Sequence, residues 1–354
     1  MDIVANTHRF VTGVDCHAAS HTFAIVDAAT GGLVEVRSFP VTGAGLRRAL
    51  DWMGRRTGGP AGALLVVEGT GSYGAGLALA AGRAGWRVVE AMPVTRAARG
   101  GRGKTDQIDA ELIARTVLAV DADRLREPRA LDGVRSALST LLAARRHRQR
   151  ARTATVNALT ALVRTVDLGV DARRRLTHAT IEGIAGWRTR PNDDLATATA
   201  RRAAAELAQD IIAADLWLTD NARRLHALIA AGPASALLQR PGVGPVTAAT
   251  VLTAWSHPGR VRTEAAFASL AGVNPVPASS GNTTRHRLNR GGDRTLNQAL
   301  HQIALTRTRY DPATRDYVAK RTSQGKTPRE TRRILKRYIA RQLFHLLKNA
   351  PVAT

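Results

Sequence analysis

Three apolar runs stand close together near the start of the chain: FVTGVDC (10–16), HTFAIVD (21–27) and LVEVRSFPV (33–41). The gaps between them are short and polar, so the runs read as three strands of a meander. Beyond residue 41 helix and strand alternate. GAGLRRALDWMGRR (43–56) has helical spacing through Leu46, Leu50 and Met53, and ALLVVEG (63–69) is a buried strand. SYGAGLALAAGRAG (72–85) is a helix running into glycine, WRVVEAM (86–92) a strand stopped by Pro93, and a further helix spans about Asp106 to Val120. A meander succeeded by alternating helix and strand predicts an α/β layer built on a mixed sheet.

The middle of the chain differs. Residues 130–166 and 195–231 are mostly Ala, Leu, Arg and Thr, with helical spacing at Leu138, Leu141, Leu142, Leu159 and Leu162. These predict long helices, arranged as a coiled-coil hairpin around GWRTRPND (186–193). In the rear, LLQRPGVGPVTAATVLTAW (237–255) predicts helix, glycine hairpin and helix. GVNPVPASSGNTTRHRLNRGG (272–292) carries weak strand signal. DRTLNQALHQIALTRTR (293–309) is a helix capped by Asp293 or Thr295, and TPRETRRILKRYIARQLFHLLKN (327–349) is a basic amphipathic helix. The predicted division is 1–122, an α/β domain; 123–234, a helical linker; and 235–354, a mainly helical domain with a helix-hairpin-helix.

Charge follows the same division. Of 52 Lys and Arg only five are lysine, and the net charge is +24. Residues 1–111 hold 12 bases and 10 acids, residues 112–239 hold 20 and 13, and residues 240–354 hold 20 and 5. A net of +15 over the rear exceeds what solubility requires and points to a polyanion, nucleic acid first. A lone Cys16 excludes a disulfide framework and a cysteine zinc site. No run of about 18 apolar residues predicts a membrane span, and the N-terminus lacks a signal-peptide pattern, so an intracellular protein is expected.

Four carboxylates occupy suggestive places. Asp15 ends the first strand, Glu68 ends the run LLVV, and Asp106 and Asp109 lie three apart on one face of a helix. Carboxylates at neighbouring strand ends can converge, and hard Mg²⁺ takes such oxygen donors while leaving positions for phosphate. Taken singly, Asp15 is also a plain turn residue, and Asp106 and Asp109 also complement a helix dipole. The element order matches the ribonuclease-H-like fold.

Other motifs are decoys. Gly69, Gly71 and Gly74 spell a dinucleotide fingerprint, with Glu90 ending the next strand. Three strands precede it, Glu68 interrupts the apolar run before it, and no second mononucleotide half comes after it. Gly-Lys-Thr at 103–105 and 325–327 lacks the Walker glycine, which falls on Ala98 and Lys320. His17 and His21 share no helical face and read as structural or surface. Cys16 reads as a small core residue.

The Pro241–Pro245 hairpin places Gly242 and Gly244 where backbone amides suit a phosphate. Ser279-Ser280-Gly281 precedes Arg285, Arg287, Arg290 and Arg294. A placed serine beside arginines can attack a phosphodiester, though Ser-Ser-Gly is also ordinary loop chemistry.

GVDCHAASHTFAIVD, VVEGTGSYG and GRGKTDQIDAELIA together resemble the N-terminal DEDD domain of a bacterial insertion-sequence transposase family. LLQRPGVGPVTAATVL, FASLAGVNPVPASSGNTTRHRLNRGGDRTLNQALHQIA and the basic tail resemble that family's C-terminal transposase domain. These are the bridge-RNA-guided recombinases. The resemblance implies a RuvC-like domain in which Asp15, Glu68, Asp106 and Asp109 bind Mg²⁺ (or Mn²⁺). It implies Ser280 as the nucleophile, forming a covalent phosphoserine with DNA. It also implies a homo-oligomer, dimer or tetramer, whose subunits share the site, and a structured non-coding RNA that selects donor and target DNA. A bacterial cytoplasmic, nucleoid-associated protein is then expected. The residues themselves leave two alternatives open: a RuvC-like nuclease that uses water, and a non-catalytic nucleic-acid scaffold.

Overall fold

A computed structural model describes residues 2–95, 103, 105–131, 133–279 and 286–350. The chain forms two compact units, Met1–Leu131 and Asp132–Thr354.

The first unit is built on a five-stranded sheet: β1 (Phe10–Cys16), β2 (Ser20–Asp27), β3 (Leu33–Pro40), β4 (Ala63–Val67) and β5 (Arg87–Glu90). Their order across the sheet is β3-β2-β1-β4-β5. The first three pair antiparallel, as the short gaps between them dictate, while β4 runs parallel to β1 and β5 to β4. This is the ribonuclease-H-like arrangement, consistent with a RuvC-like fold. It excludes a Rossmann domain, whose leading strands are parallel.

The described helices of this unit are α1 (Val4–Thr7), α2 (Gly43–Thr57), α3 (Ala75–Arg83) and α4 (Asp106–Arg115). Strand alternation sends Val14, Phe23, Ile25, Leu65 and Val67 to one face, where they pack with Trp52, Met53 and Leu77 of α2 and α3. Val11, Val26, Leu64 and Val66 go to the other face, against Ile113 and Ala114 of α4 and Val117 beyond it. With both faces covered, β4 is buried at every position, which is why its sequence reads as an unbroken apolar run.

Gly13 sets how closely α4 lies on the sheet. A Cβ there would sit 2.2 Å from the Ala110 carbonyl oxygen and 2.4 Å from the Ala114 nitrogen. Only a hydrogen leaves room for helix backbone against strand backbone. The fingerprint glycines also have structural work. Gly69 adopts φ +59°, and a Cβ on Gly74 would meet the Glu68 carbonyl oxygen at 2.4 Å. Glu90 is engaged by Thr70 and Arg126.

The second unit contains two long helices, α5 (Gly133–Thr165) and α7 (Leu195–Ala230), with α6 (His178–Ala185) between them in sequence. The expected simple hairpin around 186–193 therefore includes a helix of its own, and Ile181 and Ile184 of α6 share a core with Leu159, Val163, Ala204 and Ile211. The C-terminal elements are α8 (Pro245–Trp255), α9 (Glu264–Leu270), α10 (Arg294–Tyr310), α11 (Pro312–Ser323) and α12 (Pro328–Lys348). Of these, α8, α9, α10 and α12 pack around Trp255, Phe267 and Phe344, whose ring centroids lie 5.5–6.2 Å apart. Asp293 caps α10 by accepting from the Thr295 and Leu296 amides, and Thr327 and Glu330 form a capping box on α12.

Two details depart from expectation. The segment before the glycine hairpin is a single 3₁₀ turn, Ser235–Leu237, because Pro233 and Pro241 leave too little chain for a helix. α11 has no apolar stripe to announce it and rests on Asp311 as N-cap with Pro312 behind it. Among the described residues, no helix is long and apolar enough to cross a membrane.

Candidate metal centre

Asp15 lies at the end of β1 and is only 6% exposed. The β1–β4 register runs to Val14↔Val67, so Asp15 and Glu68 come next, side by side, and the Glu68 amide donates to the Val14 carbonyl at 3.1 Å. Both side chains follow their strands' alternation onto the face covered by α4. The first turn of α4 lies over this edge. Thr105 caps it, its hydroxyl accepting from the Ile108 amide, and Asp106 and Asp109 form the i, i+3 pair of that turn.

Three of the acids, Glu68, Asp15 and Asp109, are coupled through Glu68. Partial desolvation at the sheet edge, and then the Asp15 and Asp109 carboxylates, raise the Glu68 carboxyl above its usual range. Burial, with Asp15 and Glu68 adding to it, pushes the Cys16 thiol up to about 12. Cys16 thus stays a protonated thiol packed on the opposite face of the sheet.

His17 is the residue that sequence reasoning missed. Its Nε2 lies 3.1 Å from Asp15 Oδ2 and 3.4 Å from Asp106 Oδ1. Ligand atoms of Asp15, His17 and Asp106 all fall within 4.8 Å of one another. The neighbouring Asp15 charge, and to a lesser extent Asp106, holds the imidazole above its ordinary pKa. The available signal was the two-residue spacing from Asp15, which puts both side chains on one face of an extended segment. His21 pairs with Cys16 and so faces away from the acids, fully buried on the α2–α3 side of the sheet.

The donor set suits a divalent cation. Carboxylate oxygens from two strand ends and one helix turn are hard ligands, and their mutual repulsion is relieved by positive charge.

The other expected site residues lie in the second unit. Gly242 has φ +74°, and a Cβ there would meet the Ile303 carbonyl oxygen at 2.9 Å. Arg307 ties the hairpin down by donating from Nε to the Pro241 carbonyl. The Gly244 amide donates to Thr247 Oγ1 and the Val243 amide to the Arg240 carbonyl, so both of those hairpin amides are satisfied within the protein. Two short strands, β6 (Pro275–Pro277) and β7 (His286–Leu288), pair as an antiparallel ribbon. Its base is fixed by Asn289, which donates to the Ser269 carbonyl and to Asn274 Oδ1. Arg287, Arg290 and Arg294 are exposed along and after β7. Ser280 and Arg285, between the two strands in sequence, lie outside the described residues.

Two family models match the chain in order. Residues 12–166 match a DEDD transposase model of IS110, described as "Transposase". Residues 234–319 match the model described as "Transposase IS116/IS110/IS902 family". The chain is also 34% identical over 128 residues to the uncharacterized 43.6 kDa protein of insertion element IS110 from Streptomyces coelicolor. That similarity spans 36% of this chain and 32% of the relative. With both models matched in order, and with a ribonuclease-H-like sheet in the first unit that carries Asp15 and Glu68 at its edge, the chain belongs to the IS110 family of transposases.

Proposed function

We propose that this chain is a DNA transposase that cuts and rejoins DNA, moving the element that encodes it. What supports the reading is the group of Asp15, His17 and Asp106 at one sheet edge, with Glu68 next to Asp15 in the register and Asp109 in the same helix turn as Asp106, within the region matched to a DEDD transposase. The four acids would hold Mg²⁺ or Mn²⁺. When bound, such a cation stabilises the charge that develops on phosphate oxygens during phosphoryl transfer.

Ser280 is the nucleophile in this reading. Its Oγ attacks the scissile phosphorus, forming an Oγ–P bond as one P–O ester bond to the DNA breaks. The hydroxyl proton passes to solvent or a nearby base, and the departing oxygen takes one up. Arg285, Arg287, Arg290 and Arg294 would neutralise the phosphate before and during attack. Rejoining reverses the step: a DNA hydroxyl displaces Ser280, so one phosphoester is exchanged for another. The rear's 20 bases against 5 acids would hold the DNA backbone, while the Val243 and Gly244 amides, already bonded within the protein, are not free to do so. A homo-oligomer supplies acids and serine to one site, and a structured non-coding RNA selects donor and target DNA.

Ser280→Ala tests the chemistry. Wild-type protein incubated with its element ends, the element's non-coding RNA and Mg²⁺ should yield a protein-linked DNA band on a denaturing gel, and the variant should yield none. A water-using nuclease would instead give free ends and no linked band from either protein. Undiminished adduct from Ser280→Ala would reject the assigned nucleophile.

A further inference from the structure

We propose that His17 is a nitrogen ligand of the same cation centre, so that the site prefers Mn²⁺ and its transition-metal neighbours over Mg²⁺. This rests on the reading of the four acids as a cation site. The geometry is specific. Asp15 from β1 and Asp106 from α4 both turn an oxygen toward one atom, His17 Nε2, at 3.1 and 3.4 Å. The three donors lie within 4.8 Å of one another, a separation that one ion can span. His17 reaches this position because the segment after β1 stays in the ladder, its amide donating to the Ser20 carbonyl at 3.1 Å. Its side chain is 53% exposed, so burial does not force the contact.

An exposed histidine bridging two carboxylates admits two readings. In one it is an imidazolium that neutralises the acids in place of a metal. In the other it is the neutral ligand that a cation recruits, releasing the ring proton to solvent. The placement favours the second: His17 Nε2 and one oxygen each of Asp15 and Asp106 come from separate elements to within 4.8 Å of one another. Glu68 adjoins Asp15 across the β1–β4 register, which puts a further carboxylate beside that group. An imidazole donor matters chemically, because nitrogen suits first-row transition metals whereas Mg²⁺ is best served by oxygen alone.

Electron spin echo spectroscopy on the full chain loaded with Mn²⁺ decides the matter. Wild type should show ¹⁴N modulation from a coordinated imidazole, and His17→Gln should lose it while still holding Mn²⁺ through the carboxylates. The same variant should weaken Mn²⁺ by about tenfold or more, the range found for groups that merely orient a metal ligand, and should change Mg²⁺ affinity much less. His21→Gln, on the opposite face, should leave the modulation in place. Bound Mn²⁺ without ¹⁴N modulation in wild type overturns the assignment of His17 and leaves the carboxylate site standing. Modulation that persists in His17→Gln also overturns it. Failure of wild type to bind Mn²⁺ at all would instead remove the carboxylate site on which it rests.

Discussion

Gly13→Ala is expected to lower divalent-dependent DNA cleavage by about 100-fold or more although it touches none of the acids. The added methyl would lie 2.2 Å from the Ala110 carbonyl oxygen and 2.4 Å from the Ala114 nitrogen. Both atoms are helix backbone, so no rotamer change relieves the clash and α4 must move as a body. Overpacking of this kind costs about 1–3 kcal/mol in a well-packed core. The consequence for the site is larger. Asp109 immediately precedes Ala110, and Asp106 faces His17 and Asp15 from the same helix. A shift of about 1 Å in positioned groups costs on the order of 100-fold in rate. Melting temperature and cleavage measured together check this. The expected result is a lowered melting point with cleavage reduced about 100-fold or more; wild-type values for both would show that α4 does not rest on Gly13 as described.

Asp15→Asn is expected to have the largest effect on catalysis with the smallest effect on folding. Asparagine keeps the shape and removes the charge from the most buried of the four acids. Loss of a central ligand should lower cleavage by about three orders of magnitude, equivalent to ~4 kcal/mol of barrier. The stability change has the opposite sign. In the metal-free chain, Glu68 has a raised folded-state pKa, so the folded state resists its ionisation. That penalty is absent at pH below the ordinary glutamate range, grows as pH rises through it, and is complete above the raised value. Removing the Asp15 charge reduces one cause of the rise. At a pH well above the raised range of His17, where the imidazole is neutral and only the repulsion remains, the metal-free variant should therefore melt no lower than wild type, and this should reverse as pH falls and the variant lacks the Asp15–His17 charge pair. A variant that melts well below wild type with His17 neutral would contradict the repulsion; one that cleaves normally would contradict the role of Asp15.

Much of the first unit was legible because its periodicities are unmixed. The meander, the buried run at 63–67 and the helix over 43–57 follow from apolar spacing; Asp15 and Glu68 stand out because they end such runs, and Asp106 and Asp109 because they lie three apart at the start of a helix. His17 was not legible. Its partner Asp106 comes from a helix roughly 90 residues later, and the meeting depends on how closely that helix crosses β1. The determinant is Gly13, which inside an apolar strand looks like a weak strand former until the helix backbone above it is seen. The second unit was harder for the same reason. α11 is held by a cap and a proline, with no stripe to betray it. The hairpin amides at Val243 and Gly244 find partners that only three-dimensional packing supplies.

The mechanism stands or falls on four carboxylates, far apart in sequence, acting as one divalent-cation centre. Calorimetric titration of the full chain with Mn²⁺ tests this most directly, comparing wild type with the quadruple variant Asp15→Asn, Glu68→Gln, Asp106→Asn, Asp109→Asn. Saturable binding in wild type that disappears in the folded variant is the predicted result. Equal Mn²⁺ binding by both proteins, or none by either, would contradict it.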